Sequence, residues 1–297
     1  MSETITTTKA VLNESTLAAI ADAIREKSSS TAALKPSEMP EAIANIKGGG
    51  DDVYRCFITD EWPAELTYDG GAEQVAPRIR AFYHIMKISP KIIIKNAGNL
   101  IPQMCFESWS SSPNQSSLLE TVEWTDAKVI NEAAFQKCYS LKKLICDGLE
   151  KINSNVFNGD KALTDFGDTS RITYIGIQAF MACTALTSLR LPSVTSLGRS
   201  AFSGCTGLIK IDIGEKFSTI DGGVFYGCSH LETLILRKPS AVVKLSYVAA
   251  LNNSGIASKT GYVYVPSALL ESYKTATNWV SFASQLRAIE DYPEICS

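Results

Sequence analysis

Ala179-Phe180-Met181-Ala182-Cys183-Thr184-Ala185-Leu186-Thr187-Ser188-Leu189 and, one unit later, Ala201-Phe202-Ser203-Gly204-Cys205-Thr206-Gly207-Leu208-Ile209-Lys210-Ile211 follow one pattern. Counted from the Phe, a Cys falls at +3, Leu at +6, Leu or Ile at +9, and Leu191 or Ile213 at +11. The same register sets origins at Phe135, Phe157, Phe180, Phe202 and Phe225, separated by 22, 23, 22 and 23 residues. Upstream, position −5 reads Ile130, Ile152, Ile175, Leu197, Ile220, and −8 reads Ala127, Leu149, Ile172, Val194, Phe217. A fixed period with one apolar ladder per position marks a solenoid, because a single unit cannot bury its own hydrophobic side.

Two other positions carry conformational signals. Position −1 is only Ala or Val, as close packing of successive turns requires. Position −4 reads Asn131, Asn153, Gly176, Gly198, Asp221, residue types that tolerate a positive φ, which places a tight turn there. The Phe157 unit departs from the pattern, with Asp160 at +3, Phe166 at +9 and Asp168 at +11, so a polar or kinked turn is expected.

These residues resemble the BspA-type leucine-rich repeat: Ile175-Gly176, Ala179-Phe180, Cys183, Leu186, Leu189 and Leu191-Pro192 match its signature position by position. The resemblance implies a mainly β, right-handed solenoid with a strand over +9 to +11, a shorter one near −8 to −5, and few helices. The fold expected for the whole chain is this solenoid, with an N-terminal α-helical hairpin and a C-terminal capping helix.

The chain divides accordingly. Residues 1–47 read as an arm and helical attachment module. Within it, Asn13 caps a helix whose stripe is Leu17, Ile20, Ala21 and Ile24, and Ser37 caps a shorter one bearing Met39, Ile43 and Ile46. Gly48-Gly49-Gly50 opens a hinge at 48–52. Residues 53–100 form an irregular cap, with turn signals at Asp60-Glu61-Trp62-Pro63 and Tyr68-Asp69-Gly70-Gly71 and a helical stretch from Pro77 to Lys87. Ile92-Ile93-Ile94 then supplies the first rung of the sheet. Repeats occupy 101–238, opening with a degenerate unit on Phe106 whose Trp109 takes +3. Leu119, Val122 and Trp124 fall into register there if seven residues near Ser110–Ser116 are inserted. Seven or so rungs give a rod of roughly 30–35 Å. Residues 239–297 form the terminal cap: Tyr262 to Pro266 repeats the strand-then-Pro shape, Ser267 to Ala276 is helical, and Trp279, Phe282, Leu286 and Ile289 cover the open end.

Composition narrows the function. With 28 basic and 31 acidic residues, the chain carries no electrostatic footprint for nucleic acid or anionic lipid. No apolar run approaches the roughly 18 residues of a membrane helix. The first residues lack an apolar signal core, which leads to an expectation of cytoplasmic synthesis without membrane insertion. Of the eight cysteines, Cys138, Cys183, Cys205 and Cys228 occupy +3 and Cys146 occupies +11, where each serves as a small hydrophobe. No Cys-x-x-Cys pair offers a metal site, and neither a metal nor a cofactor is implied. His84 and His230 lie far apart in the register, no Gly-x-Ser-x-Gly elbow occurs, and the acidic residues sit singly on different rungs. Nothing here constitutes an enzyme.

What remains is a surface. Alternate strand residues face outward, so +8 and +10 should be exposed: Lys143 and Ile145, Asp165 and Gly167, Ser188 and Arg190, Lys210 and Asp212, Thr233 and Ile235. Ser188, Arg190, Lys210, Asp212 and Thr233 are the candidate ligand-binding residues, for a host-surface glycan or protein, against the alternative of an ordinary solvated sheet face. No aromatic stripe is visible on it. The stripe Leu17, Ile20, Ile24, Met39, Ile43, Ile46 either docks on a partner or folds back on the solenoid. Leu17 to Lys27 with Pro36 to Ile46 looks like N-terminal modules of tail-associated proteins of phages and prophages of Gram-positive hosts. That likeness implies a virion tail location, a tail or baseplate partner and a homo-oligomer such as a trimer. The leading expectation is a phage-tail structural protein displaying a host-recognition surface. Its alternatives are a bacterial cell-surface adhesin of the BspA type and a decoration protein with no ligand.

Overall fold

The computed structural model describes residues 9–12, 65–69, 90–106 and 119–296. Expectations for the helices of 13–46, the hinge at 48–52, the 77–87 helix, Trp109 and the 110–116 insertion lie outside them.

A β-solenoid is what the repeats build. The Phe rings of successive turns form one buried column. Phe106, Phe135, Phe157, Phe180, Phe202 and Phe225 stack with centroids 4.8, 5.4, 5.1, 5.2 and 5.9 Å apart, their planes 9–26° from parallel. All six are 0% exposed. Beside the rings, each Phe N–H donates to the carbonyl of the −1 residue one turn on, as Phe135 to Val156, Phe157 to Ala179, Phe180 to Ala201 and Phe202 to Val224. A residue larger than Ala or Val at −1 would push that ladder apart.

Two parallel ladders flank the column. The main one holds Lys9–Leu12, Glu65–Asp69, Lys91–Lys95, Thr121–Glu123 and Lys143–Ile145 in one five-stranded sheet. Ser188–Leu191, Lys210–Ile213, Thr233–Leu236, Tyr262–Val265 and Leu286–Ala288 form a second. Between the two, the Phe157 turn contributes only the single parallel bridge Lys143–Asp165. The minor ladder runs through two-residue strands at −6 and −5: five of them, from Leu100–Ile101 to Ser196–Leu197, form one sheet, and Thr219–Ile220 pairs separately with Lys244–Leu245.

The Phe157 turn explains the gap between the sheets. Phe166 turns inward against the rings of Phe157 (6.0 Å) and Phe180 (4.7 Å). Gly167 follows at φ +93°, where a Cβ would run into the Cys146 carbonyl. Asp160 takes the buried Cys place and accepts a bond from Cys138 N–H (2.8 Å). The turn is polar and kinked, as its sequence indicates.

Three expectations are corrected. The sheet does not begin at Ile92-Ile93-Ile94: Lys9–Leu12 and Glu65–Asp69 pair in parallel ahead of it. Tyr68 and Asp69 are therefore strand residues and not a turn. With the Asp165 bridge counted, eleven rungs at about 4.8 Å give a rod of about 50 Å, longer than the repeats alone suggest.

The positive φ angles do not fall at −4. They fall at −2 (Ala133, Asn155, Gln178, Ser200, Gly223) and at +2 (Lys137, Gly159, Ala182, Gly204, Gly227). Gly176 and Gly198 serve close approach instead: a Cβ on Gly176 would lie 2.6 Å from the Asn153 carbonyl carbon, and one on Gly198 would strike Ile177 N. Where space allows, asparagines fill the same column, Asn153 Nδ2 donating to Asn131 Oδ1 at 3.0 Å.

The terminal segment adds more than a lid on the end. Trp279, Tyr273 and Phe282 close the core, with Trp279 Nε1 donating to the Val243 carbonyl (2.7 Å) and Val243 N–H to the Tyr273 hydroxyl (2.8 Å). Ser267–Leu269 is a 3-10 turn leading into the helix Leu270–Thr275. Leu286, expected among the end-covering residues, lies in a further strand of the sheet, and Ile289 packs elsewhere.

Candidate binding face

Parallel pairing sets the outer face column by column. Ser188 sits beside Lys210, Lys210 beside Thr233, and Thr233 beside Tyr262. The second outward column runs Arg190, Asp212, Ile235, Tyr264, Arg287. The five candidate residues are therefore neighbours on one face, but they do not share one environment.

Ser188 and Arg190 are exposed, the Arg190 side chain at 71%. Lys210 and Thr233 are half-buried. Asp212, expected to be open, is buried: Arg237 grips it through Nε (2.7 Å) and Nη2 (2.8 Å), while Arg190 Nε stands 3.8 Å away. Its strand position alone points it outward, but Arg237 follows beyond the next strand and folds back over it. Ile235, likewise expected outside, is 0% exposed.

The cover is the chain's own end. Ile235 and Tyr264 form a small apolar cluster with Ile289, Tyr292 and Ile295, separate from the main core. Lys210 Nζ donates to the Ile295 carbonyl at 2.5 Å. The outer face is thus closed over its C-terminal rungs and open along its middle.

That open middle carries paired charge. Lys143 meets Asp165 at 3.1 Å, with both side chains about half exposed. The Gly167 N–H and then the Lys143 ammonium hold the Asp165 carboxyl below its ordinary range. Farther along, Lys91 bridges Glu65 (2.7 Å) and Glu123 (3.2 Å), and the Glu65 bond keeps its ammonium protonated above the usual value. An exposed pair such as Lys143–Asp165 adds little stability, so its directional donors and acceptors are what the face offers a ligand. At the adjoining corner, Asn96, Asn99, Thr125, Asp126, Lys128 and Asp147 line an open polar groove of about 600 Å³, which the sequence pattern does not mark.

The cysteines are core. Cys138, Cys183, Cys205 and Cys228 each donate S–H to the carbonyl of an earlier Phe, at 2.9, 3.1, 2.9 and 3.1 Å. Burial pushes the Cys228 thiol up to about 12 and Cys146 to about 11. Cys105, without a place in the +3 ladder, fills the −1 position of the Phe106 turn and is buried. Among the described residues, no group of three or more His, Cys, Asp or Glu could hold a metal ion. His230 is exposed beside the Thr206 carbonyl.

The pattern that defines the BspA type Leucine rich repeat region matches residues 78–164 and 150–258, in six copies. This chain belongs to that family. Similar solved structures include a leucine-rich repeat protein from Bacteroides ovatus (20% identity, TM-score 0.43), matched over 68% of this chain and 54% of that one. The chain thus spans about half the length of that protein. Another is the T. pallidum leucine-rich repeat protein, 18% identical over 70% of this chain and 81% of that one, with TM-score 0.41. A leucine rich cell surface protein from Faecalibacterium prausnitzii is 15% identical over 76% and 82%, with TM-score 0.26. No curated protein matches. Among the described residues, no helix is long and apolar enough to cross a membrane.

Proposed function

We propose that this BspA-type chain is a surface adhesin, recognising a host-surface glycan or protein with the uncovered middle of its outer sheet face. The residues that carry recognition are Lys143, Asp165, Ser188 and Arg190. The single observation behind this reading is the position of Arg190: its side chain projects, 71% exposed, from a strand beside the small Ser188. A fixed backbone presenting planar donors and carboxylates suits directional hydrogen bonding, since little side-chain entropy is lost per bond formed. Lys210 and Thr233 border this stretch, and Asp212 supports Arg190 from below without itself meeting a ligand.

The test is binding of the full chain to intact cells or isolated surface polymers. Ser188→Trp, which fills the face, and Arg190→Ala, which removes its donor, should each weaken binding about tenfold or more, the equivalent of about 1.4 kcal/mol. Their thermal midpoints should stay within about 2 °C of the parent, as for surface substitutions. Undiminished binding in both variants refutes the assignment.

A second reading, attachment to a phage or phage-like tail, is favoured by one sequence feature: the Leu17, Ile20, Ile24, Met39, Ile43, Ile46 pattern. Under it this stripe meets a tail or baseplate protein and the chain assembles as a homo-oligomer, such as a trimer. Sedimentation of the full chain and crosslinking from position 20 in assembled particles test it. A monomer without a particle partner excludes it.

A further inference from the structure

Where the face is open, the outward strand positions Lys143, Asp165, Gly167, Ser188 and Arg190 are polar or small, with the half-buried Ile145 as the apolar exception. At Ile235 and Tyr264 the outward positions turn apolar, and the two residues are 0% and 3% exposed. The sheet separates them from the core: Leu234, Leu236, Val263 and Val265 point inward on the same strands. Outer burial comes from Ile289, Tyr292 and Ile295, spaced by three. Tyr292 meets Tyr264 edge to face, with centroids 5.5 Å apart at 75°. The segment leaves the Leu286–Ala288 strand and runs back over the sheet as far as Lys210, whose ammonium meets the Ile295 carbonyl.

We propose that the outer face from Lys210 to Tyr264 is a docking surface for a short amphipathic peptide, occupied in this structure by the chain's own Ile289–Cys296 segment. Its apolar floor is Ile235 and Tyr264. Its polar end stop is Lys210, which takes a backbone carbonyl at the end of a helical turn. The partner it fits carries large apolar residues three apart, like Ile289, Tyr292 and Ile295, and ends its turn over the lysine. The grip on the segment is slight beside that of the core. Ile289, Tyr292 and Ile295 stay half-buried, whereas Trp279 and Tyr273 are fully enclosed. Stability is uneven across a fold, and segments with few enclosed contacts open before core strands do. Displacement would lengthen the recognition face by the rungs of Lys210, Thr233 and Tyr262, beside the open Ser188 and Arg190. This surface extends the recognition reading, but its test needs no host ligand, so either can fail alone.

The probe is a fluorescent peptide of residues 289–297 with Ser in place of its cysteine. The targets are the full parent chain and a full-length Tyr292→Ala/Ile295→Ala variant, in which the resident segment is loosened. The expected result is saturable binding to the variant, about tenfold tighter than to the parent, a gap of about 1.4 kcal/mol. A peptide carrying Tyr292→Ala should fail to bind. Lys210 should resist amine acetylation in the parent and be modified as fast as Lys143 in the variant. Ile295→Ala alone serves as a milder second variant. Equal binding to parent and variant, or none to either, overturns the proposal. So does loss of the cooperative thermal transition in both variants, since the segment would then be a fixed part of the fold.

Discussion

Asp160→Cys should stabilise the protein, and the size and pH dependence of the gain follow from the ladder it joins. Asp160 occupies the position that Cys138, Cys183, Cys205 and Cys228 hold on other turns, and it is 0% exposed. Its Oδ1 accepts the Cys138 N–H at 2.8 Å, but its Oδ2 has no hydrogen-bond partner. A buried polar atom left unsatisfied costs about 1–3 kcal/mol, and one neutral hydrogen bond contributes about 1 kcal/mol. Replacement loses the bond to Oδ1 without orphaning its donor, because Cys138 N–H also reaches the Phe135 carbonyl at 2.9 Å. The new S–H takes up the bond its counterparts make to an earlier Phe carbonyl. The net gain is about 1–2 kcal/mol, or roughly 2–8 °C in midpoint for a domain of this size.

The sign with pH is fixed. Burial raises the Asp160 carboxyl well above its ordinary 3.8. Between the ordinary value and the raised one, the folded chain holds a proton that the unfolded chain has released. Parental stability is therefore fullest below 3.8 and is lost as pH rises through the folded value. The variant lacks this slope, so its advantage should be smallest in acid and widen toward neutrality. Denaturant titrations of parent and Asp160→Cys at several pH values measure it. A destabilised variant, or a difference that does not change with pH, would refute the reasoning.

Phe202→Ala, which removes a ring stacked 5.2 and 5.9 Å from its neighbours, should cost about 3–5 kcal/mol in urea unfolding. Gly198→Ala should cost about 2 kcal/mol or more, because its Cβ would enter the backbone at Gly176 and Ile177. Gly222→Ala, whose Cβ meets only the Arg199 side chain at 3.6 Å, should stay within about 0.5 kcal/mol; equal costs at the two glycines would contradict the close-approach reading. Finally, no more than two of the eight thiols should react rapidly with a thiol reagent in the native state, six being buried, and all eight should react in denaturant. Mass spectrometry of the labelled protein counts them.

The repeat, its buried column and its cysteine ladder were legible in the sequence because each rests on periodicity, which every copy restates. What escaped depended on residues outside the period. Gly176 and Gly198 invite a positive-φ reading, but the left-handed positions are −2 and +2, where Gly159, Gly204 and Gly227 carry the signal and Ala133, Gln178 and Ala182 in the same columns obscure it. The strand position of Asp212 points it outward, and only the fold brings Arg237 over it. A cue was present at Ile235 and Tyr264: apolar residues at outward positions imply something laid across them. Lys9–Leu12 gave no cue, since its pairing with Glu65–Asp69 spans a long stretch without recurring residues.

The thin contact at the Phe157 turn has a mechanical consequence. In a stacked array each turn is held by its neighbours, and cooperativity passes along the rod only as strongly as its weakest junction. Here the main ladder carries only the Lys143–Asp165 bridge past its first five-stranded block, beside a carboxyl group in the core, so the two blocks are held together by the minor-ladder pairing of Lys151–Ile152 with Tyr174–Ile175 and by the ring column. Pulled from its ends, the rod should part first at this joint, and each block would then unzip at its own force.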